Sequence, residues 1–445
     1  MSLPPGWSEA SIEDVALVNP PRGTDPPADV PVSFVPMAAV EAGTGQADTS
    51  ETRLVGELKG KSYRAFEEGD VLFAKITPCM ENGKIAVARQ LRAGRGFGST
   101  EFHVLRAASG INPNYLLHFV LHERFRRDAA RNMKGTAGQL RVPTNYVKEH
   151  RIPVPPVAEQ ERIVAIIEEQ FSRLDAGVAA LERVRQNLKR MRAAVLRSAL
   201  TGTLADSDTT RWKRQSLARV VTIASGQTPR GLEVTATGPT PYYKVGDMNF
   251  ASGTFMAESR AYIDPLVAER FGLHIRPAGT VIFPKRGGAI ATNKKRVLSV
   301  PSAYDLNTIG LVPGPEIDSR FLHIWISAID LNTLADGSNV PQINHGDLAD
   351  LSINLPPRDE QERVVKAADG CLNEIRSLDA IVERALQRCD RLRASVLTSA
   401  FAGELAPQHN NDEPASVLLD RIAAERASSN GRTPTHNLRR RTVAA

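Results

Sequence analysis

The chain contains 445 residues, more than one ordinary hydrophobic core accommodates, so we expect two or more domains. Its 42% hydrophobic and 24% charged residues are typical of a soluble globular protein. The longest apolar runs, such as Tyr115 to Leu121, are too short to span a bilayer. Three cysteines without a CxxC pair argue against a zinc site or a disulfide framework. Because no basic and apolar leader opens the chain, we expect a cytoplasmic protein without membrane association.

The net charge of +6 indicates a polyanionic partner only weakly. Residues 1–157 carry 19 basic and 17 acidic side chains, and residues 205–357 carry 15 and 14. Non-specific affinity for nucleic acid scales with the number of phosphates neutralised, so binding would depend on local basic loops. Basic residues do cluster at Arg124–Lys134 and at Lys285–Arg296. For these clusters a solvated surface and a nucleic-acid contact are equally open interpretations.

Residues 1–157 are expected to form a first globular domain. A strand is predicted at Gly69–Lys75, and a helical patch at Pro113–Met133. The polar loops Ile76–Lys84 and Lys134–Arg141 combine glycine with basic side chains. Short strands mixed with helices indicate the α+β class.

A long helix is predicted at residues 158–204. Pro155 and Pro156 cannot continue a helix and mark its start, whereas Gly202 stands where a C-terminal cap glycine belongs. Between them apolar residues recur every three or four positions, the spacing of a coiled-coil seam with one three-residue break. About 40 residues rising ~1.5 Å each would make a rod of roughly 60 Å. The seam positions are Ile167, Phe171, Leu174, Val178, Leu181, Val184, Leu188, Met191 and Val195.

Residues 205–357 are expected to form a second α+β domain that echoes the first. The strand Gly279–Lys285 and the polar loops Arg286–Arg296 and Asp336–Asn344 match their counterparts in order. Pro284 lies in this strand and indicates an edge strand or a bulge, because proline cannot donate to a sheet ladder. The two domains otherwise differ in sequence, as expected of a protein that recognises two different targets.

A second long helix, at residues 358–405, repeats the first at a constant offset of 201 residues. Between 159–204 and 360–405, 18 of 46 positions are identical, several times more than chance gives, so the segment is duplicated. Each helix leaves one domain toward the other, which predicts two antiparallel coiled-coil helices related by a pseudo-twofold axis. The second seam comprises Val365, Ala368, Leu372, Ile375, Leu378, Val382, Ala385, Cys389, Leu392 and Val396.

Residues 406–445 form a polar tail that we expect to be mostly disordered. The stretch Ser416–Arg426 is compatible with a short amphipathic helix. The basic triplet Arg439–Arg441 is more typical of a solvated charge cluster than of a phosphate contact.

The run Ile-x-x-Pro-Pro-x-x-Glu-Gln-Glu-Arg-x-Val occurs at Ile152–Val164 and again at Ile353–Val365. Together with the Gly-Asp-Val-Leu-Phe strand and the Gly-rich loop before each Pro-Pro pair, it resembles the specificity subunits of type I restriction–modification systems over residues 4–405. The resemblance implies a non-catalytic protein whose two target-recognition domains each read one half of a bipartite duplex DNA site. It also implies two methyltransferase subunits and restriction–translocase subunits as partners. S-adenosylmethionine, ATP and Mg²⁺ are then expected on those partners, with no cofactor or metal in this chain.

On this hypothesis, each domain places polar loops in the major groove, where the four base pairs are distinguishable, with an unread spacer of roughly 10 bp. Ile166, Leu196 and Leu200 are candidates for burial against methyltransferase subunits, or they equally broaden the seam within the chain. Candidate DNA contacts in the first domain are Lys75, Thr77, Asn82, Lys84, Gln139, Arg141 and Thr144. Those in the second domain are Lys285, Arg286, Asn293, Lys294, Lys295, Asn339, Gln342 and Asn344.

Three fragments resemble catalytic motifs, and each lacks a required element. Gly56–Ser62 is one residue shorter than a P-loop, and Asn19–Arg22 lacks the aromatic residue that stacks on a flipped base. His118 and His122 lack the glutamate of a zinc-hydrolase helix. We therefore expect no catalytic centre. The alternative from a different class is a coiled-coil adaptor with two partner-binding domains.

Overall fold

The protein is described by a computed structural model over residues 3–136, 138–251 and 253–430. It divides into two compact units, one comprising residues 1–180 and 386–445 and the other residues 181–385. The predicted α+β class with an internal repeat is confirmed. No helix in the described ranges is both long enough and apolar enough to cross a membrane.

The first unit contains twelve short strands and five short helices among its described residues before the first long helix. The strands are β1 (Ser8–Ser11), β2 (Ala16–Val18), β3 (Pro31–Val35), β4 (Thr52–Leu54), β5 (Arg64–Glu67), β6 (Val71–Ala74), β7 (Ile85–Val87), β8 (Arg95–Gly98), β9 (Phe102–Ala107), β10 (Lys134–Thr136), β11 (Gln139–Arg141) and β12 (Arg151–Val154). The helices are α1 (Ile12–Val15), α2 (Val55–Leu58), α3 (Pro113–Leu121), α4 (Glu123–Arg131) and α5 (Thr144–Glu149).

Two four-stranded sheets form the body of this unit, in the orders β2-β9-β6-β7 and β4-β3-β8-β5. Strand β6, which confirms the predicted strand, is buried along its whole length, as its unbroken apolar sequence requires. The pair β1-β12 and the exposed hairpin β10-β11 lie apart from these sheets. The predicted helical patch is confirmed as α3 and α4.

The second unit repeats this plan with other lengths. Its strands are β13 (Lys213–Ser216), β14 (Val221–Ser225), β15 (Thr240–Tyr243), β16 (Phe255–Met256), β17 (Tyr262–Ile263), β18 (Val281–Pro284), β19 (Arg296–Leu298), β20 (Ala303–Tyr304), β21 (Thr308–Pro313) and β22 (Ser352–Leu355). Its short helices are α7 (Leu217–Val220), α8 (Pro265–Arg270), α9 (Ser319–Ser327) and α10 (His345–Ala349). The sheet β14-β21-β18-β19-β16 matches β2-β9-β6-β7 strand for strand, with β16 added.

The expectation that Pro284 marks an edge strand is wrong, because β18 lies between β21 and β19. Proline is tolerated there because the pairing with β19 ends at Ile282, two residues earlier. On the other side, the pairing with β21 continues to Pro284, and the next residue, Lys285, donates its backbone N–H to Asn307 O at 2.7 Å. The nitrogen of Pro284 points away from β21, so its missing hydrogen breaks no bond of the ladder.

The two long helices are α6 (Val157–Leu200) and α11 (Arg358–Ala402). Each is followed by its predicted cap glycine, Gly202 at φ 78° and Gly403 at φ 74°. This left-handed conformation favours glycine and ends the helix. The bounds agree with the predicted helices at their starts and fall a few residues short of the predicted ends.

Within each unit, the start of one long helix packs against the end of the other, which confirms the antiparallel pairing. In the first unit, Ile163 and Ile167 of α6 share the core with Leu397 of α11. In the second, Val364 of α11 shares the core with Leu196 of α6. The apolar core of each domain therefore includes residues from both long helices.

Four predicted seam residues are exposed, so the continuous coiled-coil seam is wrong at these points. Val184 and Met191 are 43% and 52% exposed, and Leu378 and Leu392 are 47% and 42% exposed. Each copy contains a three-residue break, and such a break turns an apolar stripe away from a single helix face. Other seam residues, Leu188, Ile375 and Val382, are buried.

Helix α12 (Ala415–Asn430) confirms the short helix that the sequence allows at Ser416–Arg426, so the expectation of disorder does not hold for this part of the tail. Leu418 and Ile422 are each 2% exposed and belong to the core of the first unit. The backbone N–H of Ala415 also donates to Gly6 O at 2.8 Å. Ala415, Leu418 and Ile422 lie three and four residues apart on one face and dock the helix, although the segment is polar overall. The triplet Arg439–Arg441 lies outside the described residues.

The repeated Glu-Gln pair attaches each domain to its long helix. Gln160 accepts a hydrogen bond from the backbone N–H of Asn112, at the start of α3, and Gln361 accepts one from Asp318, at the start of α9, at 2.9 and 2.6 Å. Both glutamines are 0% exposed. Gln361 also donates to the carbonyl oxygens of Pro356 and Glu316, at 2.8 and 2.9 Å.

We expect Gln361→Ala to lower the free energy of unfolding by about 1 to 3 kcal/mol, since it leaves one buried N–H and two carbonyls without partners. Urea unfolding followed by tryptophan fluorescence measures the change. Glu362→Ala removes an exposed neighbour on the same helix and serves as the control, with an unchanged midpoint expected. Equal midpoints for both variants would contradict the attachment role.

Candidate nucleic-acid interface

The two predicted polar loops of the first unit meet at the end of strand β6. Thr77 N donates to Leu140 O at 3.0 Å, and Val142 N donates to Lys75 O at 2.8 Å. Through these bonds the loop Ile76–Lys84 lies against the hairpin β10-β11. Four candidate residues, which are far apart in the sequence, are thereby brought together: Lys75, Thr77, Gln139 and Arg141.

Glu101 organises the charges of this surface. It accepts a two-pronged bond from Arg141, at 2.9 and 3.0 Å, and lies 4.0 Å from Lys75 Nζ. The bond from Arg141 is the main cause that lowers the pKa of the Glu101 carboxyl. Burial lowers the pKa of the Lys75 ammonium, and nearby Arg64 lowers it further. The result is a preformed set of donors with an excess of positive charge.

The other candidates of the first unit have different surroundings. Asn82 is exposed at the tip of its loop and is open to a ligand. Lys84 donates its ammonium to Met37 O at 3.0 Å, so it supports the loop from within. Thr144 is the first residue of α5 and follows the hairpin directly.

In the second unit, an equivalent backbone hydrogen bond joins the loops Arg286–Arg296 and Asp336–Asn344. We call each such pair of joined loops a loop frame. Ile343 N donates to Lys285 O at 2.9 Å, matching the bond between Val142 and Lys75. Arg286 Nε donates to Gln342 Oε1 at 2.9 Å, and Gln342 Nε2 donates to Asn344 Oδ1 at 2.7 Å. A chain of polar side chains therefore crosses from one loop to the other.

Asn339 is exposed in the same loop as Gln342. Lys285 itself donates to Ser225 Oγ at 3.0 Å. His345 Nε2 lies 2.9 Å from the same hydroxyl, so the imidazole ring of His345 lies beside these loops.

Two of the remaining candidates have structural roles. Lys295 is 6% exposed, and its ammonium donates to Asn293 Oδ1 at 2.5 Å and to Ile329 O at 2.8 Å. Asn293 also accepts the backbone N–H of Leu331 at 3.0 Å. A buried ammonium cannot reach a phosphate, so the prediction that Lys295 contacts DNA is wrong. Lys294 remains partly exposed and bonds to Asn249.

The matched frames carry different side chains at equivalent positions. Arg141 corresponds to Gln342 at the offset of 201 residues, and Thr144 corresponds to His345. A guanidinium donates only, whereas a carboxamide both donates and accepts. The two surfaces therefore present different hydrogen-bond patterns on one scaffold.

The structure adds residues that the sequence did not single out. Arg64, Ser225 and Asn249 contact or influence candidate lysines from distant strands or turns. No motif marks them, because their proximity depends on how separate sheets pack. Only the general enrichment of polar residues near the loops could have indicated them.

The three residues expected to contact methyltransferase subunits pack within the chain. Leu196 is 4% exposed in the core of the second unit, so the expectation of a free surface is wrong for it. Ile166 and Leu200 are half-buried against the cores of their own units. All three side chains therefore contact the domain cores of this chain.

Within the described ranges, no group of three His, Cys, Asp or Glu side chains is placed to hold a metal ion. His118 is buried against Phe171, with ring centroids 5.7 Å apart, and burial lowers its pKa to about 4. It is a core residue of α3.

Comparison with known proteins identifies the repeated unit. The sequence model of the type I restriction modification DNA specificity domain matches residues 4–187 and again residues 210–378. The EcoEI specificity subunit of Escherichia coli is 36% identical over 221 residues, which are 49% of this chain and 36% of that protein. The chain thus spans about a third of that relative's length. The StySPI specificity subunit of Salmonella potsdam is 25% identical over 465 residues, 97% of each chain.

A solved structure described as showing complex assembly and conformational transition of the type I R-M system has the same fold. It superposes with a TM-score of 0.74 at 23% identity, over 91% of this chain and all of that chain. These similarities favour the DNA-specificity interpretation over the coiled-coil adaptor.

The buried position of Lys295 predicts an unusual pH dependence. Burial lowers its pKa from 10.5 to about 8, so between these values the unfolded chain binds more protons than the folded one. The free energy of unfolding of the wild type, relative to Lys295→Met, should therefore rise by about 1 to 3 kcal/mol from pH 8 to pH 10.5. Urea unfolding at several pH values measures it. Lys294→Met is the control, and a rise of the same size relative to that variant would contradict the assignment.

Proposed function

The chain belongs to the type I restriction–modification DNA specificity family, and from this premise we propose that it reads a bipartite duplex DNA sequence, one half with each domain. The observation that carries the proposal is the pair of matched loop frames with different side chains. Each frame presents basic and amide side chains, which pair with base edges and phosphates. Arg141 in one frame and Gln342 in the other suit different bases.

The protein itself performs no catalysis on this proposal. The sequence fragments that resemble catalytic motifs each lack a required element. Methylation and cleavage belong to methyltransferase and restriction subunits, which bind S-adenosylmethionine, ATP and Mg²⁺. Two methyltransferase subunits would match the internal repeat, one for each copy of the domain.

We expect changes in one loop frame to affect one half-site only. Co-expression with a methyltransferase subunit from the same genome, followed by methylation mapping, reports which sequence the complex recognises. The double variant Arg286→Ala/Gln342→Ala should relax base preference in one half of the methylated motif, because it removes contacts worth about 1 to 3 kcal/mol per base pair. Arg141→Ala should relax the other half. Relaxation of both halves by either variant would refute the division of labour.

The same complex allows a measurement of affinity. Lys285→Ala/Arg286→Ala should weaken binding to the specific duplex and lower the slope of log K against log salt by about 2, because each cation that neutralises a phosphate contributes about 1 to that slope. Arg219→Ala removes an exposed arginine of the same unit, outside the loops, and should leave the slope unchanged. Binding by Lys285→Ala/Arg286→Ala that equals binding by Arg219→Ala at all salt concentrations would remove these loops from the interface.

A further inference from the structure

The internal repeat allows one half of the protein to be compared with the other at equivalent positions. In the first unit, Arg393 of α11 forms an ion pair with Asp175 of α6 and stacks on the ring of Phe171, 5.0 Å from its centroid. Asn114 of α3 also donates to Glu168 of α6, at 3.0 Å. At this position a carboxylate neutralises the arginine, and the ring of Phe171 packs against it.

At the offset of 201 residues, the second unit carries Arg192 and Arg376 where the first has Arg393 and Asp175. An ion pair is replaced by two arginines. Phe171 is replaced by the smaller Leu372, and a cavity of about 280 Å³ opens between α6, α9 and α11. Arg192, Arg376 and Leu372 all line this cavity.

The arginine pair is not an isolated substitution. Five cationic side chains line the cavity, with only two carboxylates, those of Asp369 and Asp379. The positions equivalent to the long-helix members of this set hold one cation, Arg393, in the first unit. The five cationic residues are Arg185, Lys189, Arg192, Arg320 and Arg376.

Internal partners neutralise only part of this charge. Arg320 pairs with Asp369, and Arg185 lies within 3.6 Å of Glu182 and Glu383. Among the described residues, Lys189, Arg192 and Arg376 form no ion pair; Arg376 contacts Thr254 Oγ1 at 3.4 Å.

The Nε of Arg320 is buried in the cavity wall without a hydrogen-bond partner from the described residues. Unpaired donors that line a cavity favour a ligand that accepts hydrogen bonds.

Burial and the positive charge around the cavity lower the pKa of two of its lining side chains. Desolvation lowers the pKa of Arg192, and Arg376 lowers it further. Burial lowers the pKa of His323, which lines the cavity, to about 3, and the charges of Arg320 and Arg192 add to this effect. The ring is therefore neutral at physiological pH. A bound anion would relieve the repulsion among the arginines.

We propose that this cavity binds the phosphate group of a small organic phosphate. Guanidinium groups match the geometry of phosphate oxygens with paired, charge-assisted bonds. The remaining wall is apolar, formed by Leu188, Leu196 and Ile324 among others, and suits the organic part of such a molecule. The volume lies near the lower limit of known ligand pockets, which restricts the ligand to about the size of a nucleoside monophosphate. None of the cavity-lining residues belongs to the loops proposed to read DNA, although Lys295 and Arg296, at the end of one loop, lie close enough to Arg192 for their charges to interact.

The repeat itself supplies the test variant. Arg376→Asp installs the acidic residue of the first unit opposite Arg192, so it should raise the melting temperature without ligand while closing the anion site. Isothermal titration calorimetry of the full chain uses AMP and inorganic phosphate as probes. We expect saturable binding of at least one probe with a Kd of about 1 mM or tighter, weakened at least about tenfold by Arg376→Asp.

Arg192→Gln is a second variant, expected to weaken binding similarly if Arg376→Asp fails to fold. Arg190→Ala, an exposed arginine on the same helix outside the cavity, is the matched control and should bind as the wild type does. A duplex oligonucleotide as a third titrant separates free phosphates from the DNA backbone.

Three results overturn the proposal. They are the absence of saturable binding of both probes, binding that survives in Arg376→Asp and Arg192→Gln, and an effect of these variants on the duplex alone. DNA recognition by the loops is measured separately and does not depend on any of these results.

Discussion

The structure depends on how each globular domain is fixed to the start of a long helix. A buried glutamine, Gln160 or Gln361, accepts a hydrogen bond from the backbone N–H of the residue that precedes a domain helix and donates one to a carbonyl of the Pro-Pro pair. In the second unit, Trp212 and Arg211 add bonds to the adjacent Glu360 at 2.7 and 3.0 Å. Hydrogen bonds between buried polar groups restrict their orientation, so these glutamines fix how each domain is attached to its helix.

Rigid attachment explains why the rest of each domain is free to vary. The sheets keep one strand order, and the bonds from Val142 to Lys75 and from Ile343 to Lys285 keep one loop geometry. Side chains that point out of this frame do not contribute to the core. They can therefore differ between the domains without a cost in stability, which is a physical requirement for reading two unlike half-sites.

The duplication also reveals where the two halves have diverged for other reasons. An ion pair and a packed phenylalanine in one half correspond to two arginines and a cavity in the other. Unpaired like charges cost stability, so their presence on a repeated scaffold points to a role beyond packing. The two halves can be compared position by position, because both are built on the same pair of long helices.

The sequence by itself determined the repeat, the helix starts at the Pro-Pro pairs, the cap glycines and the α+β class, because these depend on local spacing and backbone restrictions. Only the tertiary structure decided which polar residues are available. Lys294 and Lys295 look alike in sequence, yet one is partly exposed and the other is buried on Asn293 and Ile329. The docking of α12, the exposed Met191 and the grouping of Arg141 with Lys75 around Glu101 likewise follow from packing between distant segments, which no local pattern encodes.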